Sequence, residues 1–162
     1  MSITQISQAL WPSILKVQDE AYTGVAPESL EVLKSKWLAS PQTCFVFQLA
    51  NNHIGGYLLA HPWGAHQPPK LFETHDSCTS GHGLYLHDLA VSQYSRGLGI
   101  GKQLATEFLN VAKALKFRRV LLMAVQGSEG FWSALGFIEV SDAKVCSSYG
   151  PNAKLMSVNL QA

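Results

Sequence analysis

Apolar positions recur along this chain in two rhythms, one helical and one alternating, and the change between them marks the elements. Residues 12–22 predict a helix: Pro12 suits a first turn, and Ile14, Val17 and Ala21 share one face. Residues 27–39 predict a second, with Leu30, Leu33 and Trp37 on one side and Ser40-Pro41 as its stop. Residues 1–6 read as a short strand. The runs 44–50 (CFVFQLA) and 53–60 (HIGGYLLA) predict two more around an Asn51-Asn52 turn. Residues 83–91 (GLYLHDLAV) form the next strand. Residues 101–116 form a helix with Leu104, Phe108, Val111, Ala112 and Leu115 at one-face spacing. Residues 119–125 (RVLLMAV) are nearly all apolar, as expected of a strand covered on both faces. A short helix at 130–135 and strands at 137–140 and 155–160 complete the order. The span 83–125 is a βαβ crossover, which makes its two strands parallel. The class is α/β (α+β in some schemes), with no repeat or linker, so one domain is expected over residues 1–162.

Residues 61–82 break both rhythms. They hold three prolines and form a long connection for a compact domain, which points to function or disorder. Trp63, Leu71 and Phe72 make the stretch too apolar for a solvated tail. It is expected to cover one side of a ligand cleft, alone or with a second copy of the chain in a homodimer. His61, His66, His75, His82 and His87 cluster here in sequence, but their spacing repeats neither H-x-x-x-H nor a carboxylate set, so no metal site is expected.

Composition narrows the class. The chain has 162 residues, 47% apolar and 14% charged, enough for one sizeable core. A formal net charge of +1 gives no basic surface for nucleic acid. No apolar run approaches the roughly 18–20 residues that span a bilayer. The start, MSITQISQALWP, lacks the basic region and apolar core of a signal peptide. Cys44, Cys78 and Cys146 are scattered, with no CxxC pair, so a reducing cytoplasmic setting is expected.

The stretch HDLAVSQYSRGLGIGKQLATEFL, residues 87–109, carries the chemistry. Gly97, Gly99 and Gly101 lie between a strand and a helix. Glycine permits positive φ and close approach of a ligand, and a helix start offers unpaired N–H groups and a partial positive charge. Together these make a phosphate seat. A P-loop is excluded: Gly101-Lys102 is followed by Gln103, and Arg96 stands where the first glycine belongs. A dinucleotide fingerprint fails at its third glycine, replaced by Lys102 or Leu104 according to register, and no acidic residue closes the strand 120–125.

Arg96-Gly97-Leu98-Gly99-Ile100-Gly101 matches [RQ]-x-x-G-x-[GA], and Phe131-Trp132-Ser133-Ala134-Leu135-Gly136-Phe137 looks like F-Y-x-x-x-G-F one helix and one strand later. In both, and in Leu89-Ala90-Val91 before the turn, the chain resembles the GCN5-related N-acetyltransferase (GNAT) superfamily. The detailed resemblance covers residues 84–140. It implies a mixed, centrally splayed β-sheet flanked by helices and acetyl-CoA as co-substrate. Leu89, Ala90 and Val91 would pair with the pantetheine arm. Residues Arg96, Gly97, Leu98, Gly99, Ile100, Gly101 and Lys102 would seat the pyrophosphate, with Phe131 and Trp132 beside it. Lys102 reads equally as a solvated helix position. Two departures stand out. Trp132 replaces the usual tyrosine. The usual asparagine before the short helix is absent from Val125-Gln126-Gly127-Ser128, which moves a polar contact onto Gln126 or Ser128.

The implied reaction moves an acetyl group directly from the thioester to a primary amine of a small molecule or peptide. A backbone N–H near Val91 would polarise the carbonyl. The amine must shed a proton and the thiolate must gain or tolerate one. His87, Tyr85, Asp88 and Glu20 are the choices for a base. Alternation puts His87 on the face of Leu89 and Asp88 on the other, unless a bulge intervenes; a core histidine satisfied by backbone is the rival reading. Tyr149, in Ser147-Ser148-Tyr149-Gly150-Pro151, is the choice for the acid, against a packing role in a turn. Two other classes stay open: a non-catalytic acyl-CoA sensor, kept alive by Trp132, and a nucleotide-dependent oxidoreductase.

Overall fold

The structure is a computed structural model that describes residues 2–22, 26–50, 53–64, 69, 82–125, 127–140 and 153–160. Seven strands form one open sheet: β1 (Ser2–Gln5), β2 (Phe45–Gln48), β3 (Ile54–Pro62), β4 (Gly83–Val91), β5 (Arg119–Ala124), β6 (Ile138–Glu139) and β7 (Lys154–Asn159), in the order β1-β2-β3-β4-β5-β7-β6. The pair β4–β5 is parallel, as the crossover requires, and the other neighbours are antiparallel. Among the described residues four α-helices flank it: α1 (Trp11–Ala21), α2 (Leu30–Ala39), α3 (Ile100–Ala114) and α4 (Glu129–Ala134). The mixed sheet with helices on both faces is the expected class.

Each face has its own core. Helix α3 buries Ile100, Leu104, Ala105, Phe108 and Ala112, a single stripe at three- and four-residue spacing. The stripe packs on Phe45, Phe47, Leu58, Leu84, Leu86, Val120 and Leu122. Trp11, Ile14, Val17 and Leu33 of α1 and α2 cover the opposite face over Val46, Tyr57, Leu59 and Ala90. Helix α3 comes close to the sheet because Gly55 and Gly56 lie beneath its first turn. A Cβ on Gly56 would fall 2.8 Å from the Ala90 carbonyl oxygen and 3.1 Å from Ile100.

Helix α2 begins at Leu30, three residues later than its sequence pattern predicts. Ser29 caps it, its Oγ accepting from the Val32 N–H at 3.3 Å. Just before it, the Gln18 side chain holds Glu28 by both backbone groups: Nε2 donates to the Glu28 carbonyl at 3.1 Å, and the Glu28 N–H donates to Oε1 at 3.0 Å. The chain ahead of the helix is thus claimed by α1. The buried face of α2 is Val32, Leu33 and Lys36, and the predicted Leu30 is 40% exposed.

Candidate active site

The β4–β5 ladder ends at Leu86 and Leu122, although β4 runs on to Val91 and β5 to Ala124. The two strands part at their carboxyl ends, where open α/β sheets bind ligands. The Ser92 N–H donates to the Gly55 carbonyl at 2.8 Å. Alternation along that antiparallel pair turns Ala90 toward β3, and the N–H and C=O of Leu89 and Val91 toward the gap. A cleft of about 340 Å³ fills the gap, lined along β4 by Leu86 to Val91 and opposite by Leu122, Met123, Val125, Ser128, Phe131 and Trp132.

At one end stands the glycine turn. Gly97 and Gly99 have φ of +86° and +72°, which side chains other than glycine rarely adopt. Gly99 is the α3 N-cap, and the first intrahelical bond runs from the Gln103 N–H to its carbonyl at 3.0 Å. The N–H groups of Ile100, Gly101 and Lys102 therefore have no helical acceptor. Arg96 and Gly101 line the same cleft. Unpaired amides, a helix dipole, an arginine and bare glycine backbone fit a pyrophosphate, and the free edge of β4 fits an amide-bearing arm.

At the other end lie titratable groups. Glu28 Oε1 is 2.6 Å from His87 Nε2; the imidazole is fully buried and the glutamate side chain is 7% exposed. A ligand in the cleft therefore meets the carboxylate before the ring. The carboxylate holds the proton of that contact on Nε2, and Nδ1 is buried with no hydrogen-bond partner among the described residues. His61 and Tyr85 pack against the ring with centroids 6.3 Å away. Beside the pair, Asp88 is buried between two tyrosines. The Tyr57 hydroxyl donates to Oδ2 at 2.5 Å, and the Tyr22 hydroxyl lies 2.5 Å from Oδ1 and 3.0 Å from the Leu89 carbonyl oxygen. Burial pushes the Asp88 carboxyl above the usual range, against the opposing pull of His87 and both hydroxyls. Burial and the Asp88 charge raise both tyrosines.

The expectation for His87 is corrected in one respect: it does not share the face of Leu89. Leu59 pairs with Asp88 and Ala60 with Leu86, so His87 is the extra residue of a β-bulge. Leu84 and Leu86 pack toward α3, and so do Leu89 and Val91. The bulge turns His87 to the side of Asp88 and Glu28. Of the other choices for a base, Tyr85 is fully buried behind the ring of His87. Glu20 lies elsewhere, accepting from Ser92 Oγ at 2.7 Å and lining a separate depression with Lys16 and His53.

Of the residues expected to hold the cofactor, Leu89, Ala90, Val91, Arg96, Gly101, Ser128, Phe131 and Trp132 converge on the cleft. Gly97, Leu98 and Gly99 form its exposed rim, Ile100 turns into the core, and Lys102 is exposed. Trp132 is 6% exposed and packs edge-on against Phe137, so it serves the core as well as the cleft wall. Gln126, Tyr149, His66, His75, Leu71 and Phe72 lie outside the described residues. Gln18, Tyr22, Glu28 and Tyr57 are the site residues that the sequence pattern missed. Among the described residues no group of three His, Cys, Asp or Glu converges as a metal site, and no helix is long and apolar enough to cross a membrane.

Residues 11–137 match the Acetyltransferase (GNAT) family, and the chain belongs to that family. No curated protein matches it in sequence. Among solved structures it is similar to the loading GNATL domain of CurA from Lyngbya majuscula, with TM-score 0.82 and 11% identity over 99% of this chain and 98% of that one. It is also similar to Rv2747 from Mycobacterium tuberculosis, solved in complex with CoA (0.73, 15%, covering 99% and 100%). The ribosomal-protein-S18-alanine N-acetyltransferase from Escherichia coli superposes at 0.71 with 13% identity over 99% of this chain and 94% of that one. At these identities the likeness establishes the shared fold.

Proposed function

We propose that the chain is an acetyl-CoA-dependent N-acetyltransferase acting on a primary amine of a small molecule or peptide. The observation that carries this reading is the cleft itself, with a glycine turn of unpaired amides at one end and the Glu28–His87 pair at the other. Bound there, acetyl-CoA supplies an activated acyl group as a thioester. The amides of Ile100 to Lys102 and Arg96 hold the pyrophosphate, and the free backbone of Leu89 and Val91 aligns the arm. The Leu89 or Val91 N–H faces the gap and stabilises charge on the thioester oxygen. Glu28, backed by His87, takes the proton that the amine sheds. Tyr149 stays a proposed acid and Gln126 a proposed polar contact; residues 61–82 are proposed to complete the acceptor wall, alone or from a second subunit. A cytoplasmic protein of one domain fits this chemistry.

Trp132 in place of a tyrosine favours a second reading, a domain that binds acyl-CoA without turning it over. Thermal shifts with acetyl-CoA, CoA, NADP and ATP, followed by an amine-library acetylation screen with mass detection, separate the two. Stabilisation by acetyl-CoA and CoA above the nucleotides, with at least one acetylated amine, is the expected result. Stabilisation with no product supports the binding domain, and selective stabilisation by NADP overturns both.

A further inference from the structure

Buried Asp88 and Tyr57 and half-buried Tyr22 form a hydrogen-bonded group at the wall of the cleft, and its geometry bears on its proton count. Three acceptor positions are within reach: Asp88 Oδ1 and the Leu89 carbonyl, both beside the Tyr22 hydroxyl, and Asp88 Oδ2 beside that of Tyr57. With Asp88 ionised, the two hydroxyl protons serve all three within the protein, and Tyr22 divides one proton between two oxygens. With a proton on Oδ1, each contact has its own donor: Asp88 donates to the Tyr22 oxygen, Tyr22 to the Leu89 carbonyl, and Tyr57 to Oδ2. The other charged groups at this place are Glu28, which opposes ionisation, and His87, which favours it only when protonated. Asp88 and Tyr57 are buried, where an unsatisfied polar group is costly, so the arrangement that gives each contact its own donor is the one to expect.

The end of this chain of bonds matters. The Leu89 carbonyl faces the gap between β4 and β5, and both Tyr22 and Asp88 line the cleft. An arm with two amides laid along Val91 and Leu89 places its second amide at Leu89. The two-carbon link beyond it would carry the sulfur onward along β4, toward Asp88 and Tyr22. Trp132, where the family motif has a tyrosine, offers no hydroxyl on the opposite wall.

Building on the acetyl-transfer reading, we propose that Asp88 is held protonated in the resting protein and that Tyr22 passes its proton to the departing thiolate. As the amine nitrogen bonds to the carbonyl carbon, the C–S bond breaks with its electron pair on sulfur. Tyr22 turns its O–H from the Leu89 carbonyl to that sulfur, the Asp88 proton moves to the Tyr22 oxygen, and Asp88 is left as a carboxylate accepting from both tyrosines. The amine gives up one proton to Glu28–His87, beside Asp88, and its return to Asp88 restores the starting state. Tyr22 is the catalytic residue of this relay, and Asp88 and Tyr57 position and load it.

Infrared difference spectra of wild type against Asp88→Asn at neutral pH read the proton directly. The expected result is a protonated-carboxyl band in the wild type that shifts in D₂O and is lost in the variant. Wild-type protein with ¹³C-labelled aspartate carboxyls gives the same reading by NMR if the variant fails to fold. Tyr22→Phe is expected to lower kcat by on the order of 10²-fold while the acetyl-CoA Kd stays within a few-fold. A carboxylate-only spectrum, or wild-type kcat in Tyr22→Phe, overturns the relay and leaves the acetyl-transfer reading standing. A screen in which no amine is acetylated overturns the reading on which the relay rests.

Discussion

Gly101→Ala separates what the glycine turn does for the ligand from what it does for the fold. Gly101 is the second residue of α3 and lies outside the positive-φ region that Gly97 and Gly99 occupy. A Cβ there would meet Val91 Cγ2 at 3.5 Å and the Phe131 ring at 3.6 and 3.8 Å, ordinary van der Waals distances. The fold has no objection to alanine. Replacing glycine within a helix gains up to about 1 kcal/mol, and near the first turn about 0.5 kcal/mol. For a chain of this size that raises Tm by about 1–2 °C. The same methyl stands in the mouth of the cleft, between Val91 and Phe131, where the proposed pyrophosphate would come close to the backbone. Calorimetric titration with CoA should show at least a tenfold weaker Kd, a loss of about 1.4 kcal/mol or more. Gly99→Ala is the companion. Its Cβ has open space, with Gln103 Nε2 at 3.8 Å, but φ of +72° costs an alanine about 1 kcal/mol. The two variants should move Tm in opposite directions and affinity in the same one. A Gly101→Ala protein with raised Tm and unchanged affinity would show that no ligand phosphate passes this helix start.

Gly56→Ala should destabilise by about 1–3 kcal/mol in urea melts, since its Cβ meets the Ala90 backbone at 2.8 Å; a variant as stable as wild type would mean that β3 and α3 part easily. Glu28→Gln and His87→Gln should each lower kcat on the order of 10²-fold with CoA affinity retained, and the double variant should lose little more than either, as partners in one pair do. The folded-state carboxyl of Asp88 titrates above its unfolded value, so the stability it lends is full below the unfolded pKa of roughly 3.9 and is lost as pH rises toward the folded value. Relative to Asp88→Asn, wild type should therefore weaken from about pH 4 upward until that value is passed, and a pH-independent difference in urea melts would contradict the raised carboxyl. Cys44 is buried, its Sγ 3.3 Å from the Ala60 carbonyl and its thiol pushed up to about 12, so peptide mapping after iodoacetamide at neutral pH should find Cys44 unmodified in the native protein.

The parts of this site that are legible in the sequence are those whose chemistry is local. A helix start, positive φ and bare backbone are properties of adjacent residues, so residues 96–101 announce the proposed anion seat without the rest of the chain. The apolar run 119–125 announces a covered strand in the same way. Glu28 is invisible for the opposite reason. It meets His87 across 59 positions because Gln18 grips its backbone ahead of α2, and no period in the sequence encodes that grip. Tyr22, the C-cap of α1, and Tyr57 of β3 reach Asp88 by the same kind of tertiary accident of position. The face of His87 was open to reasoning but rested on strict alternation, which a single inserted residue reverses.

That insertion also organises the chemistry. Without it, an unbroken β4 would put His87 with Leu89 and Val91 against the α3 core and Asp88 alone on the other face. With it, Leu84, Leu86, Leu89 and Val91 all pack on the α3 side, while His87 and Asp88 turn together toward Glu28, Tyr22 and Tyr57. The bulge sits where β4 leaves β5, after Leu86. One irregularity therefore gathers the titratable groups into a single set at the cleft and keeps the α3 face apolar. It does so at the point where the backbone of Leu89 and Val91 is freed to face the gap, so the groups proposed for proton transfer and the edge that would hold the thioester are placed by the same residue.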